Sequence, residues 1–255
     1  MRHWLIPSAL VISVLFTGCP AAQAQHFTLE AGSGPCIGFT ALAAPKGLPP
    51  KTRLLHRIST AFSLGLRYEA GHSLTVLAVN SAGLTRGVRN DALVWQRTAN
   101  GAVVGSNSGS GSIRSAPAHF TLGSGYVTAV GEKLKLSALG GIGYMISVST
   151  VPPPLTSIDL SPLPEERVDY VLNLEHVRQG NWGVFAEARA ELQLSRRSSL
   201  GVTGRYYHGL RTIDQLKSEL FRYVNTRTNT VEDYDVALLN KGRYVALRVS
   251  YGYSL

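Results

Sequence analysis

The final residues of the chain, 241–255, read KGRYVALRVSYGYSL, and this stretch decides the fold. Its odd positions from 245 onward are all apolar or aromatic, whereas its even positions include Arg248, Ser250, Gly252 and Ser254. Successive side chains of a β-strand point to opposite faces, so this period of two predicts a strand with one apolar and one polar face.

The same alternation recurs upstream in the chain. Every even position of residues 182–194 is apolar, and residues 57–69 alternate in a similar way. Reading the whole chain on this criterion predicts eight strands, at 26–42, 57–69, 73–86, 115–130, 133–149, 181–195, 198–211 and 241–255.

The connections between these strands alternate in length. Short turns are predicted at 69–72, 131–132 and 195–198, and long segments at 43–56, 87–114, 150–180 and 212–240. Long loops at one end and short turns at the other are typical of a transmembrane antiparallel up-and-down β-barrel. The sequence therefore predicts an all-β fold, an eight-stranded barrel with both termini beside the short turns.

Two of the long segments have further patterning. In residues 167–181 most of the apolar residues stand at even positions, as they do in the strand that contains Trp182. Either the sixth strand therefore begins in this segment and projects outward, or the segment forms a separate strand. A separate strand, together with pairing by 91–104, gives the alternative of ten strands. In the last long segment, residues 212–215 (TIDQ) predict the N-terminus of a short helix that runs to Tyr223, with a side chain capping its first turn.

The composition agrees with a membrane barrel. Hydrophobic residues make up 44% of the 255 residues, charged residues only 16%, and the mean hydropathy is +0.05. Such apolar content excludes general disorder, and two cysteines exclude a fold stapled by disulfides. Beyond the first 24 residues no window of 18 apolar residues occurs, so the sequence predicts no transmembrane helix.

The first 24 residues predict export. A basic start at Arg2 is followed by an apolar run, and the small residues Ala22 and Ala24 suit a signal peptidase. Residues 1–24 are therefore predicted to be a signal peptide and 25–255 the barrel domain. Loss of Arg2 lowers the net charge from +9 to +8. The alternative is a lipoprotein signal at 16–19 (FTGC), in which Cys19 is lipidated.

The polar faces of the predicted strands carry charges of both signs. In an eight-stranded membrane barrel the interior is just filled by side chains, so these charges are expected to pair. We predict a lumen cluster of ion pairs formed by Glu30, Glu187, Glu191, Arg189, Arg205 and Arg248.

Aromatic residues lie on the apolar face of the predicted strands, near both ends of the strands. Amphipathic rings at both membrane boundaries are expected of a barrel. The aromatics near the short turns are Phe27, Tyr68, Tyr126 and Tyr253, and those near the long loops are Phe39, Tyr144, Trp182 and Tyr206.

The terminal strand, the strand pair at 182–210 and the segment 139–144 (LGGIGY) resemble the small outer-membrane β-barrel family of Gram-negative bacteria, described as porin-like or as OmpA- or OmpX-like barrel domains. The resemblance spans essentially all of residues 25–255. It implies a bacterial outer-membrane location, termini in the periplasm and long loops at the cell surface. It also implies recognition of the C-terminal strand by the barrel-assembly machinery, although the chain ends in Leu255 rather than in an aromatic residue.

Motifs that carry chemistry are absent from the sequence. It has no P-loop, dinucleotide, zinc-protease or nucleophile-elbow pattern, and no cofactor or metal is predicted. Some barrel enzymes that deacylate lipid A use a His-Ser pair, but His208 is followed here by Gly209. An omptin-like protease needs Asp and His pairs at the rim, yet no His accompanies Asp233 and Asp235.

The predicted function is therefore a non-enzymatic outer-membrane barrel with a plugged or narrow lumen, contributing to membrane integrity or surface interaction. Alternatives are a small passive channel, a lipid-modifying outer-membrane enzyme, and a periplasmic lipoprotein with a β-sandwich. The first loop has Lys46, Lys51 and Arg53 with no acid, which predicts contacts to lipopolysaccharide phosphates. Nucleic-acid binding is not predicted, because the chain is exported and lacks interleaved basic and aromatic residues.

Overall fold

The computed structural model describes residues 25–90, 96–97, 103–104, 109–146, 155–156 and 166–255. The predicted signal peptide at 1–24 and the alternative lipidation at Cys19 lie outside these residues. Within them, no helix is long and apolar enough to cross a membrane.

The described residues form seventeen strands. In chain order they are β1 (Gln25–Ala43), β2 (Thr52–Leu54), β3 (Ile58–Ala70), β4 (Ser73–Ala82), β5 (Leu84–Asn90), β6 (Gln96–Arg97), β7 (Val103–Val104), β8 (Gly109–Ser115), β9 (Ala118–Val130), β10 (Leu134–Ile146), β11 (Leu155–Thr156), β12 (Glu166–His176), β13 (Gly180–Gln193), β14 (Ser198–Gly209), β15 (Asp214–Asn225), β16 (Thr230–Asp233) and β17 (Ala237–Ser254).

Eight of these strands close into an antiparallel barrel. Hydrogen-bonded neighbours follow the order β1, β3, β4, β9, β10, β13, β14 and β17, and β17 pairs back with β1. The predicted eight-stranded barrel is confirmed. The ten-strand alternative is wrong, because β12 pairs with β15 outside the ring and β6 pairs with β7 alone. Most of the segment 91–104 lies outside the described residues.

The barrel wall turns its apolar side chains outward. On β17, Leu247 is 54% exposed and Val249 53%, whereas the neighbouring Ala246 and Arg248 are buried. A soluble protein shows the reverse arrangement, since it removes its apolar side chains from water. The barrel therefore carries its apolar surface outside and its charged residues inside.

Above the loop end of the barrel the chain builds a second folded layer. We call it the cap and define it as residues 44–57, 84–90, 109–115, 166–178 and 212–240. The sheet β2–β5–β8 and the strand pair β12–β15 enclose an apolar core in this layer, and β15 pairs with the upper end of β17. The core consists of Val88, Val168, Tyr170, Leu172, Leu174, Leu216, Phe221, Tyr223, Val236 and Leu238.

Two predictions about these segments are wrong. The helix expected to run to Tyr223 is the strand β15, because its backbone pairs with β12 on one side and with β17 or β16 on the other. Such long-range pairing overrides a weak local helical preference. The strand predicted at 73–86 breaks at Gly83, and residues from Leu84 onward form β5 in the cap.

Candidate functional site: the barrel lumen and the cap

A first layer of charges fills the lumen near the short turns. Arg67 on β3 donates two hydrogen bonds to Glu191 on β13, one of them 2.8 Å long. Arg189 forms an ion pair with Glu30 on β1 and lies 3.3 Å from Glu191. Glu69 lies 3.1 Å from Arg67 and accepts a 2.8 Å hydrogen bond from Lys135. Three cations therefore face three carboxylates in this layer.

A second layer lies in the middle of the barrel. Arg248 donates a 2.8 Å hydrogen bond to Glu187, and Arg205 lies 3.7 Å from the same carboxylate. The Asn80 amide oxygen on β4 accepts hydrogen bonds of 2.6 Å from Arg205 and 2.8 Å from Arg248. The Arg205 guanidinium also lies 4.1 Å from the centre of the Phe185 ring, a favourable cation–π distance.

A third layer closes the lumen beneath the cap. His119 on β9 hydrogen-bonds the Tyr244 hydroxyl on β17, and its ring centre lies 5.0 Å from that of Tyr207. The Tyr207 and Tyr244 rings stack with centres 5.6 Å apart, and all three side chains are buried. Imidazole and phenol rings thus span the barrel above the charged layers.

Little free space remains between these layers. The cavity bounded by Glu30, Arg67, Glu187, Arg189, Arg205 and Arg248 has a volume of about 20 Å³. That is room for one water molecule. The six residues of the predicted lumen cluster all line the interior, with Glu30, Arg189 and Glu191 in the first layer and the others in the second.

Several residues that make contacts across the lumen are absent from the predicted cluster of ion pairs. Arg67 is one of the side chains of β3 that point inward. The alternation along β3 does not show that its partner on the opposite wall is Glu191. Asn80 and His119 carry no pattern signal, since one polar residue on an inward face is common in a barrel. The contacts of Asn80 and His119 depend on the register of the strands. In that register Asn80 on β4 lies opposite His119 on β9.

A buried ion pair joins two strands of the cap beside the upper end of β17. Arg86 on β5 contacts Asp214 on β15, and both side chains are almost fully buried. The Asn240 amide on β17 donates a 3.2 Å hydrogen bond to the second oxygen of Asp214. Three strands from the cap and the barrel therefore meet at one carboxylate.

The cations of the first loop lie in the outer part of the cap. Lys51 forms an ion pair with Glu166, and the Tyr223 hydroxyl donates a 2.6 Å hydrogen bond to the other Glu166 oxygen. Burial opposes ionisation of Glu166, but the hydrogen bonds from Lys51 and Tyr223 outweigh it and lower the pKa of this carboxyl. Lys46 and Arg53 are exposed, and the charge of Lys46 acts on Asp233.

His208 lies on the outer face of β14. Its ring nitrogen forms a 2.9 Å hydrogen bond with the Tyr206 hydroxyl. In the part of the chain that the structure describes, no group of three or more His, Cys, Asp or Glu side chains is arranged to hold a metal ion.

No family model and no curated protein matches the sequence. The structure is similar to solved outer-membrane proteins at low identity. OprG from Pseudomonas aeruginosa is 14% identical, with 91% of this chain and 97% of that chain covered and a TM-score of 0.47. A major outer membrane protein from Thermus thermophilus is 13% identical, with coverage of 91% and 100% and a TM-score of 0.47. Ail of Yersinia pestis, solved with the heparin analogue sucrose octasulfate, is 10% identical, with coverage of 91% and 100% and a TM-score of 0.38.

Proposed function

We propose that this chain is an outer-membrane barrel with a closed lumen, which acts through its outer wall and its cap rather than by solute passage or catalysis. The observation that carries this proposal is the set of cross-lumen contacts at three depths, around a cavity of about 20 Å³ between the charged layers. An open porin instead encloses an aqueous channel and needs about twice as many strands.

Membrane insertion is supported by the exposed wall. The outward side chains along the strands are apolar, and aromatic rings lie towards both ends, such as Tyr253 at the short turns and Trp182 at the loop end. An apolar band between aromatic girdles is the arrangement expected of a transmembrane barrel. This arrangement is unfavourable for a protein surrounded by water.

The proposed orientation has the termini and short turns in the periplasm and the cap at the cell surface. It is supported by the size of the cap, since long extracellular loops and short periplasmic turns are general in such barrels. The alternating C-terminal strand β17 supports the further proposal that the barrel-assembly machinery inserts the chain. Proteolysis of the cap in intact cells tests the orientation: cleavage without membrane rupture supports it, and cleavage only after rupture opposes it.

The lipopolysaccharide contact of the first loop remains part of the proposal. Lys46, Lys51 and Arg53 are all exposed, but the Lys51 ammonium already binds Glu166. We expect K46Q/K51Q/R53Q to weaken binding of lipopolysaccharide to the whole protein, and K51Q alone to have a smaller effect. Unchanged binding in the triple variant would remove this contact from the proposal.

Conductance in planar lipid bilayers tests the closed lumen. We expect folded, inserted protein to give no steady ionic current, because three layers of side chains cross the barrel. A stepwise, voltage-independent conductance from the same preparation would overturn the proposal in favour of a small passive channel. Insertion is verified separately by protection of the barrel from protease in the bilayer.

A further inference from the structure

A groove of about 470 Å³ opens on the outer wall at the loop end of the barrel. It lies over β10 and β13 and over the connections that precede β13 and follow β14. The residues that matter for its chemistry are Tyr144, Arg178, Trp182, Leu210 and Arg211. The groove is separate from the lumen layers and from the cations of the first loop.

The floor of the groove is aromatic and apolar. Trp182 is 57% exposed and Leu210 is 56% exposed, and the ring centres of Tyr144 and Trp182 lie 5.1 Å apart. Exposed Trp and Tyr rings at the end of an apolar wall mark the depth at which lipid chains give way to headgroups. The floor therefore faces the boundary between acyl chains and headgroups in the outer leaflet.

The rim of the groove is cationic. Arg178 and Arg211 are both exposed, and neither forms an ion pair with a carboxylate of the described residues. Several arginines of the barrel interior and cap have such a partner, as Arg67 and Arg86 do. Within the described residues the guanidinium groups of Arg178 and Arg211 thus have no carboxylate partner, and guanidinium binds phosphate oxygens in a bidentate manner.

The backbone around both arginines is fixed in place. The buried Asn181 amide donates a 2.7 Å hydrogen bond to the Arg211 carbonyl and accepts one of 3.0 Å from the Arg211 amide. The amide of Arg178 donates a 2.8 Å hydrogen bond to the Ile213 carbonyl. The connections that carry the two arginines are thus joined to each other before any ligand arrives.

Positive charge continues onto the neighbouring strand. Lys241 and Arg243 lie on β17, and both of their charges act on the His208 ring at the outer face of β14. Lys241 and Arg243 therefore add positive charge to the wall beside the groove, whose own lining includes Arg178 and Arg211. Such clustering on a lipid-facing surface favours an anionic ligand over a neutral one.

We propose that this groove binds the phosphorylated headgroup of an outer-leaflet glycolipid. Arg178 and Arg211 bind the phosphate, and Trp182 and Leu210 contact the first sugar ring and the upper acyl methylenes. This inference rests on the proposed membrane location, and it assigns a lipid contact that is distinct from the one at the first loop.

The test is a titration of purified, folded protein in neutral detergent. The probes are bis-phosphorylated lipid A and the same lipid A after removal of both phosphates. We expect wild-type protein to prefer the phosphorylated lipid, and R178Q/R211Q to lose at least about tenfold in affinity for it, as removal of charge-assisted hydrogen bonds implies. R178K/R211K keeps the charges but not the bidentate geometry, and we expect an intermediate loss.

The matched control is R196Q/R197Q, which removes the same two charges from an exposed turn at the opposite end of the barrel. We expect this variant to bind as wild type does. An equal loss in both double variants, or no loss in R178Q/R211Q, overturns the proposed site. Heat-modifiable gel migration of each variant checks the barrel separately: folded R178Q/R211Q with unchanged binding contradicts the lipid site and leaves the membrane barrel standing.

Discussion

Arg67 and Glu191 lie on strands that face each other across the barrel, and they form a bidentate ion pair through the lumen. The same relationship recurs nearer the cap, where Asn80 accepts a hydrogen bond from Arg205 and His119 contacts Tyr244. Each of these pairs joins opposite walls. Cross-lumen links at successive depths explain why an eight-stranded ring retains so little free volume.

The first prediction concerns the pair of Arg67 and Glu191. Removing one partner of a buried ion pair typically costs about 3–5 kcal/mol, because the other charge stays buried. We expect E191Q to lower the free energy of unfolding by an amount at the lower end of that range, since Glu69 remains 3.1 Å from Arg67. Urea unfolding in lipid vesicles measures this.

The control for this pair is E132Q in an exposed turn, which is expected to unfold as wild type does. The double variant R67Q/E191Q should be more stable than the sum of the single effects implies, because the two side chains are coupled. Strictly additive effects would show that the pair does not interact.

The second prediction concerns the buried ion pair that joins two strands of the cap. D214N leaves the buried Arg86 without its counter-ion, so we expect the cap to open while the barrel stays folded. Trypsin should then cleave within the cap at concentrations that leave the wild-type cap intact. D235N removes an exposed carboxylate of the same segment and should stay protected. Equal protection of D214N and D235N would contradict the role of the buried pair.

The third prediction concerns pH. The pKa of Glu166 is lower in the folded cap than its ordinary value of 4.5, so the contact with Lys51 stabilises the cap above that pH. This stabilisation is lost as the pH falls through the lowered pKa. Hydrogen exchange of β12, compared between wild type and E166Q at each pH, isolates the contribution.

We expect wild-type β12 to be better protected than that of E166Q at about pH 6, and the difference to shrink as the pH falls below 4.5 through the lowered pKa of Glu166. A wild-type advantage that does not decrease anywhere on acidification would mean that ionisation of Glu166 does not govern the contact.

The fourth prediction concerns the point where β17 leaves the barrel for the cap. Gly242 has a φ of +71°, and a Cβ there would lie 2.5 Å from the Met145 sulfur. The left-handed conformation alone costs an L-residue about 1–2 kcal/mol, so G242A should lower the unfolding midpoint in urea. The control is G204A, where an added Cβ meets nothing within 4 Å. Equal midpoints for the two variants would contradict this account of the bend.

The barrel was predictable from sequence because alternation in strands such as β13 and β17 reports directly on the two faces of a wall. The partners within the lumen were not predictable. Arg67 and Glu191 are 124 positions apart, and only the register of the closed ring brings them together.

The cap was predicted poorly for a different reason. In residues 213–223 the apolar residues Ile213, Leu216 and Leu220 fit a helical spacing, and nothing local shows that β12 will pair with this segment. The contact of Arg86, at the end of a predicted strand, with Asp214 likewise depends on pairing between segments that are distant in the sequence. Pairing with strands that are distant in the sequence determines the secondary structure of such segments. The residues of the segment itself do not show which strand it will pair with.

The central claim is that the chain forms a closed barrel that resides in a bacterial outer membrane. Gel migration of unboiled and boiled samples, combined with membrane fractionation, tests it most directly. We predict that the protein partitions with the outer membrane, requires detergent for extraction, and migrates differently before and after boiling. A protein that is soluble without detergent and migrates identically in both samples would contradict the claim.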